Sequence, residues 1–190
     1  MWRRLPGDWL LSGLVPGDAE AIARHLADGA VARWVLRIPQ PYGLDDAQHF
    51  LAHITNIDKD AGRTLHFAIR EPKGELVGLI GLTGAPPVNT PSSQPVELGY
   101  WVAPSYWRRG IGGEAVRRIV NVALVEYEID RLVAGVIDGN EASTRILLAN
   151  GFEQIEPHTD LAQASGVPRW GSRYGISYER YAEIQKGKKK

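Results

Sequence analysis

The segment from Val96 to Glu156 sets the narrowest limit on the fold. It reads as a strand (VELGYWV), a turn (SYWRRGIGGEA), a helix to about Glu128, a continuous apolar strand (RLVAGVI), a short helix from about Asn140 to Asn150 stopped by Gly151, and a strand (FEQIE). Strands that alternate with helices need crossover connections, and a crossover sets two strands parallel. The chain is therefore expected to be α/β with at least one parallel pair. Gly99 sits at the centre of VELGYWV, where a glycine commonly marks a bulge or a close backbone approach.

The flanking sequence fills in a mixed sheet. Residues 16–29 place Ala19, Ile22, Ala23 and Leu26 on one helical face, and DDAQHFLAHITNI offers a second stripe of Ala47, Phe50, Leu51, Ile54 and Ile57. Between these helices runs an aromatic loop with Trp34, Pro39, Pro41 and Tyr42. TLHFAIRE and ELVGLIGLTG, joined by EPKGE, read as an antiparallel hairpin, and APPVNTPSSQP as a surface loop within the domain. After FEQIE a polar loop leads to Ser172 and a last strand, RYGISYERY.

With 190 residues, 44% of them hydrophobic, the chain suits one domain with a real core. That domain is expected over residues 1–183, with 184–190, ending in KGKKK, as a basic disordered tail. Lys+Arg and Asp+Glu each total 22, so no net field draws the protein to nucleic acid or an anionic membrane. No signal peptide or spanning segment is read, and a cytoplasmic protein is the expectation. The absence of cysteine excludes disulfides, a thiolate nucleophile and cysteine metal sites. His49 and His53 have metal-ligand spacing but lack a following Glu and a third ligand, so no metal is expected.

The turn ahead of the long helix looks built for an anion, because a helix N-terminus offers unpaired N–H groups and partial positive charge. A Walker loop is ruled out, since Glu114 and Ala115 follow Gly113 where Lys and Ser or Thr are required. Gly110 to Ala115 fits the dinucleotide pattern G-x-G-x-x-A, but Pro104 to Arg109 intervene between strand and first glycine. A third arrangement has a pyrophosphate held by the turn and the rest of the ligand lying along the preceding strand.

VELGYWVAPSYWRRGIGGEA, followed after a strand by NEASTRILLANGF, resembles the GNAT superfamily of N-acetyltransferases, and within it the ribosomal-protein (RimJ/RimL-like) branch. The resemblance spans nearly the whole chain. It implies a mixed, mostly antiparallel sheet of about seven strands, splayed between the two central ones, and acetyl-coenzyme A as cosubstrate. It further implies that the backbone of Arg109, Gly110, Ile111, Gly112 and Gly113 wraps the pyrophosphate, with charge from Arg108 and Arg109. The family's usual Gln or Arg at the first motif position is Trp107 here. Backbone of Trp101, Val102 and Ala103 would hold the pantetheine arm, and the Val102 N–H would face the oxyanion.

The family places a glutamate base on this strand, which makes Glu97 the candidate; an exposed strand residue or a structural ion pair is the other reading. The usual tyrosine acid falls at Leu147, which shifts that role toward Ser143. Asn140 and Ser143 form N-x-x-S at the short helix, near the sulfur, where the resemblance implies that both contact the cofactor; plain helix caps are the other reading. Trp34, Tyr42 and Trp107 are candidates to line the acceptor cleft or to be ordinary aromatic core. With no cysteine, attack is direct in a ternary complex. The expected acceptor is a primary amine, a protein N-terminus ahead of a small molecule. A homodimer is left open, and a non-catalytic acyl-CoA-binding module is the alternative from another class.

Overall fold

The computed structural model describes residues 3–27, 29–35, 38–39, 41–90, 94–161 and 169–187. Among them eight strands form one sheet: β1 (Arg3–Arg4), β2 (Leu10–Gly13), β3 (His66–Arg70), β4 (Leu76–Thr83), β5 (Val96–Val102), β6 (Arg131–Ile137), β7 (Glu153–Asp160) and β8 (Trp170–Ser177). Their order is β1-β2-β3-β4-β5-β6-β8-β7, and only β5 and β6 run parallel. The α/β class and mostly antiparallel sheet are as expected, with eight strands in place of about seven. No strand ahead of the first helix is legible in the sequence, because Pro6 and Gly7 interrupt the run and β1 and β2 are too short to alternate visibly. Their place is set by partners far along the chain, as in the pairing of Leu11 with Ile69.

Helices cover both faces. α1 (Ala19–Leu26) and α2 (Leu44–Ala61) pack on one face, where Ile22, Leu26, Leu51 and Ile54 meet Ala68, Leu79 and Trp101 of the sheet. α3 (Ile111–Asn121), which continues as a π-helical turn Val122–Glu126, and α4 (Glu141–Ala149) cover the other. There Ile111, Val116, Ile119 and Leu147 meet Phe67, Ile80, Val96 and Leu98. The period-2 alternation of β5 serves both layers: Val96, Leu98, Tyr100 and Val102 face α3, and Glu97, Gly99 and Trp101 face α2.

The last strand is shorter than expected. β8 ends at Ser177, and YERY opens α5 (Tyr178–Gly187) instead of extending the strand. The Arg180 N–H reaches Ser177 Oγ at 3.3 Å, the bond of a serine N-cap, which explains why these aromatic residues turn helical. Residues 184–187, expected in the disordered tail, belong to this helix, and 188–190 lie outside the described residues.

The feature that positions the site is a fork. β5 pairs with β4 from Glu97 opposite Thr83 to Val102 opposite Gly78. With β6 it pairs only at Val96–Leu132 and Glu97–Val133, after which β6 stays on β8 as far as Ile137. The register with β4 runs unbroken through Gly99, so the expected splay arises where the strands part and not from a bulge against β4.

Candidate active site

Beyond Glu97 the backbone of β5 has a free edge. Ala103 donates its N–H to Val77 O at 2.8 Å, which fixes the alternation of the antiparallel ladder. Residues 97, 99, 101 and 103 then turn their main-chain groups to β4, and Tyr100 and Val102 turn theirs into the fork. Of the expected backbone set, Trp101 and Ala103 thus face β4, and Ala103 also accepts from the Tyr106 N–H at 2.9 Å. Val102 keeps an N–H toward the opening, while its carbonyl accepts from Trp107 Nε1 at 2.6 Å. Trp107 thereby pins the turn to the end of β5.

The turn itself is open. Residues 107 to 110 are exposed, Arg108 has φ 62° and Gly110 φ 76°, and α3 starts at Ile111. Two left-handed residues ahead of a helix direct successive N–H groups toward one side, the concavity that holds anions. A Cβ built at Gly110 or Gly113 would meet nothing within 4 Å. The Arg109 guanidinium lies 5.0 Å above the Tyr106 ring and donates to Ser105 O at 3.1 Å, so it braces the turn from below.

Turn, fork and Glu97 border one cleft of about 1190 Å³. The cleft also takes in Asn140 and Ser143 at the head of α4 and Trp34, Tyr42 and Phe50 on the α2 side. Asn140 Oδ1 accepts the Ser143 N–H at 3.1 Å, so this carbonyl caps α4. Ser143 Oγ lies 2.7 Å from the Tyr100 hydroxyl, a partner absent from the sequence reading. No local signal marks Tyr100, since its partner is 43 residues away. Burial pushes its phenol up to about 12, against a smaller opposing effect of the Ser143 bond. The pair therefore remains protonated through the neutral range. Tyr42, buried at 9% exposure, is likewise raised to about 12, by burial and then by Asp46.

Among the described residues no group of three or more His, Cys, Asp or Glu could hold a metal ion, and no helix is long and apolar enough to cross a membrane. The histidines at 49 and 53 line the α2 wall of the cleft.

A strand fork beside a glycine turn that opens a helix is the arrangement that the resemblance to the acetyltransferases implies, and comparison with known proteins agrees. The family model of the acetyltransferase (GNAT) domain matches residues 9–153, and the chain belongs to that family. It is an acetyl-CoA-dependent N-acetyltransferase, which replaces the alternative of a non-catalytic module. Its relatives include an uncharacterized N-acetyltransferase, YoaA, of Bacillus subtilis, 28% identical over 173 residues that cover 88% of this chain and 92% of the relative. Similar solved structures include Mycobacterium smegmatis RimJ in complex with CoA-disulfide, with TM-score 0.75 at 20% identity, covering 97% of this chain and 93% of that one. Spermidine N-acetyltransferase from Vibrio cholerae, in complex with CoA and spermine, has TM-score 0.75 at 16% identity and covers 92% and 98%. At these identities the two structures speak for the fold alone.

Proposed function

We propose that the enzyme acetylates a protein N-terminal amine, with Glu97 as the carboxylate that holds the incoming ammonium group and takes its proton, directly or through water. The observation that carries this is the single cleft that joins Glu97, the free edge of β5 and the N–H turn before α3. Acetyl-coenzyme A supplies an activated acyl group with a thiolate leaving group. The N–H groups from Arg109 to Gly113 receive its diphosphate, with Arg108 adding charge, and the Val102 N–H faces the oxyanion. The free amine forms the C–N bond as the C–S bond breaks. The Ser143 hydroxyl, backed by Tyr100, passes a proton to sulfur, and the side-chain amide of Asn140 stands at the same end of the cleft.

The acceptor half of the cleft favours a chain terminus over a polyamine. Its wall carries the apolar and aromatic Trp34, Val35, Ile38, Tyr42, Phe50 and Ile54 beside Arg33, His49 and His53, and among the described residues of these elements Asp46 and Glu97 are the acids that line it. A polycation calls for a row of carboxylates, whereas one ammonium followed by an uncharged side chain calls for one acid and an apolar wall. The test is a screen that follows free thiol release from acetyl-coenzyme A with N-terminal peptides, polyamines and small amines in parallel. Peptides with an apolar or small first residue should give the highest kcat/KM. Turnover confined to polyamines would overturn the acceptor assignment.

A further inference from the structure

The cleft carries a second proton-accepting group that the sequence reading passed over. His66 opens β3 at 7% exposure, and its Nδ1 lies 2.7 Å from Asp58 Oδ1 of α2. The other Asp58 oxygen takes the main-chain N–H of His66 at 3.4 Å. A carboxylate at Nδ1 keeps the ring proton on that nitrogen and leaves the Nε2 lone pair free to accept. The Nε2 edge of the ring lies over Gly81: a Cβ built there would stand 2.7 Å from Cδ2 and 3.4 Å from Nε2.

The row continues toward the fork. His66 is opposite Gly81, and Gly81 is opposite Gly99, all on the α2 face. A Cβ at Gly99 would meet nothing within 4 Å, and His66, Gly81, Gly99 and Glu97 all line the cleft. With the imidazole lying over Gly81 and no side chain at Gly99, a trough is left at Gly99 between the ring and the free edge of β5, β3 and β5 being about 10 Å apart at two strand spacings. A histidine that only neutralised Asp58 would explain Gly81, whose side chain the ring replaces, but not the clearance at Gly99.

We infer that the His66–Asp58 pair is the final proton acceptor of the reaction, reached from Glu97 across the trough at Gly99. This rests on the acetyl-transfer reading above. One proton leaves the ammonium nitrogen for Glu97 and moves through water in the trough to Nε2, forming an imidazolium opposite the Asp58 carboxylate. The second leaves nitrogen as the C–N bond forms and the C–S bond breaks, and ends on sulfur by way of Ser143. Imidazole is the stronger base of the two side-chain types near neutrality, so the transfer restores the Glu97 charge for the next acceptor. The other titratable or charged groups among the described residues on this part of the cleft are Asp46, His49 and His53 of α2, with Arg33 and Tyr42 of the segment before it.

Two measurements test it. Long-range proton–nitrogen NMR on the ligand-free enzyme should find His66 protonated at Nδ1, and a proton at Nε2 in the neutral ring would overturn the proposal. The pH profile of kcat/KM should show a limb in the imidazole range. His66→Gln should remove it and lower kcat about 10²-fold, with coenzyme A affinity unchanged. Asp58→Asn, which retains the ring should His66→Gln fail to fold, should also lose the limb. His53→Gln should keep it, and Glu97→Gln, which breaks the relay, should lose it. A limb that persists without His66, or disappears in His53→Gln, overturns the assignment. Absence of acetyl transfer from every amine would instead strike the functional reading, with the NMR result still deciding the state of His66.

Discussion

The two edges of β5 are made from alternate residues of one strand and are treated oppositely. Toward β4 every main-chain group is paired from Glu97 to Ala103, and toward β6 pairing stops after Glu97. The zipped edge anchors the strand in the middle of the sheet. The open edge leaves the Tyr100 and Val102 main-chain groups without a strand partner, an arrangement a core strand tolerates only where something else completes the bonding. A ligand chain with amide groups can do so as an added strand would. Glu97 stands at the fork itself, the last residue held on both sides, and this places its carboxylate at the end of the opening.

Replacing Glu97 separates chemistry from binding at that point. Glu97→Gln should lower kcat/KM by about 10²–10⁴-fold, the range for losing a positioned proton acceptor, and leave the coenzyme A dissociation constant unchanged by calorimetry. A parallel loss of coenzyme A affinity would make Glu97 part of the cofactor strap.

Proline substitution then compares the edges directly. Ala103 has φ −59°, which proline accepts, so Ala103→Pro mainly removes the 2.8 Å bond to Val77. It should cost about 1–3 kcal/mol of stability in thermal or urea unfolding, with coenzyme A affinity retained. Val102→Pro removes an N–H that faces the opening. It should cost less stability and weaken coenzyme A about tenfold, in line with roughly 1.4 kcal/mol for one lost directed bond. Equal stability losses would mean that both edges are structural.

Much of this was legible in the sequence because it is local. The strand with Gly99, the turn from Trp107 to Gly113 and the helix behind it follow one another on one stretch of chain, and the family resemblance that this stretch carries singled out Glu97. The crossovers of Val96–Glu156 required the parallel pair that forms the fork. Partnerships between distant residues were not legible. Tyr100 meets Ser143 only because α4 folds over the fork, and His66 meets Asp58 because α2 turns back at Gly62, whose φ is 66°. Which β5 carbonyls and amides face outward is set by the β4 register, a tertiary property, and so the turning of Trp101 and Ala103 toward β4 was not legible. The serine cap that ends β8 was hidden by strand-forming tyrosines on both sides of it.

The glycines of the turn sharpen the comparison most finely, since each has a different reason to be glycine. Gly110 has φ 76°, a conformation that penalises any L side chain. A Cβ at Gly112 would contact Ile146 Cδ1 at 3.4 Å, so that glycine lets α3 approach α4. Gly113 has ordinary helical geometry and empty space around it, and neither turn nor packing accounts for it. Within a helix glycine is worse than alanine by about 0.5–1 kcal/mol, so Gly113→Ala should raise stability by up to that amount. The added methyl would stand in the cleft beside the first-turn N–H groups, and coenzyme A affinity should fall a few-fold. A melting temperature that rises while affinity falls would show that the open side of this region is kept clear for a ligand at the expense of the helix. A rise in both would leave Gly113 as a plain weak point in α3, and the open edge of β5 and the turn before α3 would then have been shaped by different demands.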